Sequence, residues 1–135
     1  MADLSITAAN VEKVSGRVET GTAGIAITAG QSVWVDTNDD NKVKLADADT
    51  ITEHALRGVA LCDSAADQPV TYLVDGVMDL GATCVVNEVY IVSATAGGIA
   101  PVADLASGDF LGIVGFATAT NRLTLHVASS GVAKA

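Results

Sequence analysis

The chain predicts an all-β domain, a barrel or a sandwich, and three observations lead there. Half of its 135 residues are hydrophobic but only 4% are aromatic. The apolar content is therefore Ala, Val, Ile and Leu, side chains that suit a pleated sheet better than thick helix packing. Short apolar runs alternate with Gly, Asn and Asp turn signals, and no long segment keeps a 3.6-residue period. The chain also repeats itself. The strand, turn and strand pattern of Gly58 to Val74 is echoed by Gly112 to Val127, Ser32-Val33-Trp34-Val35 by Glu88-Val89-Tyr90-Ile91, and Val43 to Asp47 by Ile99 to Asp104. The expectation is one domain over residues 21–135, with pseudo-repeats at about 21–76 and 77–127 that share a core, because 135 residues are too few for two independent cores.

Taken in order, residues 1–20 mix small, polar and charged residues with single Leu, Ile and Val and contain no turn pair that returns them to the body. They read as an extended arm that needs a partner surface. Gly21 to Gly24 is a turn, Ile25 to Thr28 a short strand and Ala29 to Ser32 another turn. Val33-Trp34-Val35 and Val43-Lys44-Leu45 flank the most polar run, Asp36 to Asn41, as a hairpin. Ala46 to Ala55 reads as a helical turn or loose loop, and Leu56-Arg57-Gly58 opens the central hairpin. Asp75-Gly76 is a turn signal before a short strand at Val77 to Gly81. The second copy then runs to Val127, and residues 128–135 form a small-residue tail expected to fray.

Composition narrows the function. A net charge of −9 with 7 Lys and Arg leaves no basic patch for phosphates and argues against nucleic acid and anionic membranes as partners. The acid is uneven, since every Asp and Glu except Glu88, Asp104 and Asp109 precedes Leu80, which suggests one acidic flank. No basic leader opens the sequence, so a soluble, cytoplasmically made protein is expected. Cys62 and Cys84 sit among apolar neighbours and read as small buried hydrophobes.

Four patterns invite a chemical reading. Asp36, Asn38, Asp40 and Asn41 with Asp47 imitate a calcium loop, but the sixth residue is not Gly, the twelfth is not Glu, and the second copy has Ser93 to Gly98 there. A solvated hairpin turn is the better reading, and no metal is expected. His54 and His126 lack partners at ligand spacing, and His126 reads as an edge or interface histidine. No serine stands in a nucleophile-elbow setting, and the glycines fit neither dinucleotide nor phosphate loops. With carboxylates confined to turns, no catalytic residue, no cofactor and no enzyme activity are expected.

The succession Gly30-x-x-Val33-Trp34-Val35, Leu56 to Leu61, Val70 to Val77, Asn87 to Val92 and Phe110 to Gly115 resembles the small head-decoration, or capsid cement, proteins of tailed bacteriophages over residues 20–127. The resemblance implies a compact β-barrel or β-tulip body, a homotrimer, and attachment to the major capsid protein on the outer surface of the virion near three-fold or quasi-three-fold positions. It carries no catalytic residues. The arm matches in position a segment that reaches neighbouring capsid subunits, which nominates Leu4, Ile6, Val11, Val14 and Val18 as capsid contacts. Two alternatives stay open: a biotinyl-like or lipoyl-like carrier module, which asks for a lysine at a hairpin tip, and another virion β-protein such as a tail component.

Overall fold

A computed structural model describes residues 3–134. These form nine strands and two single-turn 3-10 segments, Ala8–Asn10 and Val102–Asp104, with no α-helix among the described residues. The strands are β1 Glu12–Thr22, β2 Ser32–Asp36, β3 Lys42–Leu45, β4 Gly58–Ala60, β5 Pro69–Asp79, β6 Val89–Val92, β7 Ile99–Pro101, β8 Phe110–Ala119 and β9 Arg122–Ala133. All pair antiparallel in one curled sheet, in the order β3-β2-β4-β5-β9-β8-β6-β7, with β1 added along β5. The all-β expectation holds.

The hub is β5. It pairs with β1 from Pro69 to Asp79, with β4 at Tyr72 and Leu73, and with β9 from Gly76 to Asp79. Its near-continuous apolar run is buried on both faces. Val70, Tyr72 and Val74 enter a smaller cluster with Ala23, Ile27, Val33, Val43 and Ala60. Leu73 and Met78 enter a larger one with Val59, Leu80, Tyr90, Ile99, Val114, Leu123 and Leu125. Each fully buried Leu or Met contributes about 1.5–3 kcal/mol, so β5 ties both clusters to one strand.

Three local expectations are corrected. Asp75-Gly76 makes no reversal, and β5 runs straight through it. Gly76 (φ +124°) faces Gly16 (φ +116°) in the ladder, and a Cβ on either would stand 2.5–2.6 Å from the other's Cα. The positive φ is used to pass a partner strand closely, not to turn back. Ile25 to Thr28 forms no strand, only the bridge of Ile27 to Ser64. Residues 128–133 do not fray but complete β9, with Ser129 opposite Gly112 and Ala133 opposite Phe110. In keeping with the hairpin-turn reading, Asp36 sits at the turn end of the β2–β3 ladder and Asp47 beyond its other end, because the ladder runs from Asp36↔Lys42 to Val33↔Leu45. At about 3.3 Å per residue they are too far apart to share an ion.

The N-terminal segment departs most from expectation. Residues 12–22 are β1, with ten registered partners on β5. Residues 3–11 form a strap across the body, in which Leu4 N–H donates to Ile99 O and Thr7 N–H to Gly81 O, both at 2.8 Å. Leu4, Ile6 and Val11 are half-buried against the larger cluster. No local turn folds this stretch back; its backbone partners lie from 47 (Thr22 to Pro69) to 95 (Leu4 to Ile99) residues away.

Candidate functional site

The strap rests on glycines. A Cβ on Gly30 would come 2.5 Å from Ile6 Cγ2 and 3.2 Å from Val11 Cγ2, one on Gly81 2.5 Å from Thr7 O, and one on Gly98 2.7 Å from Asp3 Oδ2. Gly30 and Gly81 also hold φ of +92° and +70°. A side chain at Gly81 would meet the strap backbone and one at Gly30 its packed Ile6, whereas at Gly98 the Asp3 side chain would have to turn aside. At its start, Ser93 Oγ donates to Asp3 Oδ1 at 2.6 Å. The groove is thus shaped for bare backbone plus two aliphatic side chains.

The strap also explains how the sheet ends. Edge strand β3 is closed by the residues that follow β1: Ala23 bridges Val43, and Gly24 N–H donates to Val43 O at 2.8 Å. Edge strand β7 is closed by Leu4 on Ile99 O. A free sheet edge is a template for unwanted pairing, and each of these edges carries one short extended cover.

A second cluster fastens β1. Arg57 donates Nε to Glu19 Oε1 at 2.9 Å and Nη2 to Oε2 at 2.7 Å, and Tyr72 Oη donates to Glu19 Oε1 at 3.2 Å. The bidentate guanidinium holds the Glu19 carboxyl below its ordinary range. Burial pushes the Tyr72 phenol up. These groups line an open groove with Thr20, Thr22, Asp40 and Asn41, but the one cation there is already neutralised.

The other nominated residues resolve as follows. Lys44 Nζ bridges Asp36 Oδ2 at 2.8 Å and Asp39 Oδ2 at 2.9 Å, and Lys42 Nζ reaches Asp67 at 3.2 Å. The carboxylates at this turn therefore face ammonium groups, and Lys44 holds the Asp36 carboxyl below its ordinary range. Neither lysine stands free at a hairpin tip, as a carrier module would need. Asp40 and Asn41 take the left-handed turn with φ of 54° and 57°. His54 is buried, its Nδ1 2.6 Å from Ile51 O and its Nε2 accepting Gly131 N–H at 3.1 Å. Those partners fix the neutral Nδ1–H tautomer, and the ring packs on Phe110 at 5.2 Å. His126 is exposed and stacks on Phe116 at 6.0 Å. Both cysteines are free; Cys84 is buried and burial pushes its thiol up, while Cys62 is half-buried. Among the described residues no group of His, Cys, Asp and Glu is arranged to hold a metal, and no helix is long and apolar enough to cross a membrane.

Of the five nominated contact residues, Leu4, Ile6 and Val11 face the body, while Val14 and Val18 are 43% and 39% exposed on β1. Sequence reasoning missed Gly30, Gly81 and Gly98 as the floor of the strap, and the Glu19–Arg57 clamp. The available signal was a glycine ahead of each edge hairpin, Gly30 and Gly81, with Gly98 in the β6–β7 turn; the ion pair left none. No protein-family model matches the chain, and no match is found among curated proteins.

Proposed function

We propose that this chain is a structural decoration protein that binds the outside of a tailed-phage head as a trimer near three-fold positions and reinforces the shell. The observation that carries the reading is a duplicated ladder. Val33 pairs with Gly58 on one side and Leu45 on the other, and Tyr90 pairs with Gly115 and Pro101 in the same way. A Cβ on Gly58 would meet Leu73 O and one on Gly115 would meet Thr124 O, so the close approaches correspond as well. This supports two tandem units, paired in the orders β1-β5-β4-β2-β3 and β5-β9-β8-β6-β7, with β5 closing the first and opening the second in chain order. Gly58 then answers to Gly115, three residues beyond the Gly112 that sequence matching selects. The resemblance to capsid cement proteins rests on the order and duplication of glycine and apolar-pair motifs in the sequence, and a duplicated ladder is consistent with it.

The surface adds support. Val14 and Val18 project from an exposed strand, and Phe116 and His126 form the exposed aromatic pair on β8 and β9; an apolar surface of this kind suits a protein that works by contact. The nominated shell contacts narrow to Val14 and Val18, because Leu4, Ile6 and Val11 are spent on the body. The test is to mix the purified protein with undecorated heads and image them: trimeric density at three-fold positions is expected, and unbound heads at micromolar protein reject the reading.

A further inference from the structure

We infer that the groove floored by Gly30, Gly81 and Gly98, together with the β7 edge, is a binding site for the strap of a second copy of this chain, which exchanges with the chain's own residues 3–11. The groove is complementary to that very sequence: Leu4 sits on Ile99 O, Thr7 on Gly81 O, and Ile6 and Val11 over Gly30. The same residues from another protomer make the same contacts, so exchange costs only the association of the two chains, which is the condition for segment swapping. What singles out this element is its connectivity. The β3 edge is closed by Gly24, two residues after β1, on Val43; the β7 edge is closed by a residue 95 positions upstream (99 − 4). The β6–β9 half therefore lacks a cover of its own and accepts one from elsewhere in the chain.

The strap is also lightly tied. Between Asp3 and Val11 its bonds to the body are those from Leu4 N, Thr7 N and Ser93 Oγ, its three aliphatic side chains are half-buried, and it forms no continuous ladder. Its hold in place comes from tethering, which supplies an effective concentration on the order of millimolar. Wherever protomers are packed at comparable density, exchange between copies competes with self-closure. This inference does not rest on the capsid reading, because it is read in solution without heads.

The test uses the full chain and a fluorescein-labelled peptide of residues 1–11. In a Leu4→Ser/Ile6→Ser variant the resident strap is weakened while the groove is intact; fluorescence anisotropy should show saturable peptide binding at least ten-fold tighter than to the unmodified chain, whose own strap competes. A peptide carrying the same two serines should not bind. Equal binding to both proteins, or none to a variant whose circular dichroism is native, overturns the inference. Should the variant fail to fold, the unmodified chain is refolded from denaturant at millimolar concentration: a dimer that persists on dilution, and is reduced at least ten-fold by Ile6→Gly, supports the exchange, and a chain that remains monomeric overturns it.

Discussion

The β2–β5 half and the β6–β9 half meet on β5, yet they are finished differently. In the first, the chain leaves β1 at Thr22 and closes β3 within two residues through Ala23 and Gly24. In the second, the residues after β5 run to Gly81 and Ala82 without reaching β7, and Leu4 closes Ile99 instead. The difference follows from sharing. A strand that serves both halves cannot also supply each with a private closing segment, so one edge is covered from a distance. The same sharing buries β5 on both faces and makes it the least replaceable strand.

Removing residues 1–20 should break the comparison outright. It strips β1 from β5 and with it the Glu19–Arg57 clamp, and against a net stability of about 5–15 kcal/mol the chain starting at Gly21 is expected not to fold, as judged by circular dichroism. Starting at Glu12 instead removes only the strap. Three half-buried aliphatic side chains at roughly 1 kcal/mol each predict a loss near 3 kcal/mol and a Tm lower by about 10 °C, with hydrogen exchange rising in β7 and not in β3. Gly58→Ala and Gly115→Ala sharpen the correspondence: each sets a Cβ on a facing carbonyl oxygen, and the two should cost the same to within about 1 kcal/mol in urea unfolding.

Glu19→Gln is expected to be milder, about 1 kcal/mol for a partly exposed pair. Its sign with pH is fixed by the lowered folded-state pKa of Glu19. The contribution is whole above the ordinary glutamate range, where the unfolded carboxyl is ionised, and it fades as pH falls through the folded value. Melting curves of wild type and variant should differ at neutral pH and converge in acid. Smallest of all, millimolar calcium or a chelator should leave Tm unmoved, since Asp36 and Asp39 already face Lys44; a rise of several degrees would show that the turn binds the ion.

Much of the body was legible in sequence because its signals are local. Val33-Trp34-Val35, Val43-Lys44-Leu45 and Val89 to Val92 alternate or run apolar between turn residues, and they are strands β2, β3 and β6. The central hairpin survives as β4 and β5. Besides the Glu19–Arg57 clamp, three features were not legible. Asp75-Gly76 has the composition of a turn, and only the facing Gly16 reveals that its positive φ serves a strand crossing close to another. The strap has no local signal at all, because Ile6 is explained by Gly30 and Leu4 by Ile99. His54 looked like an isolated polar residue; its partner Ile51 O is three residues away, but Gly131 N becomes visible only when β9 is extended to Ala133.

The distance between Leu4 and Ile99 also sets an order of events during synthesis. At about 5–20 residues per second, the 95 residues between them (99 − 4) occupy the ribosome for roughly 5–20 s. The cover for β3 emerges next to its strand and can close at once, whereas the strap waits through that interval without a seat. Under the exchange proposed above, a strap from another copy can take the seat during that wait. Translation speed, as well as protein concentration, therefore bears on whose strap each groove receives.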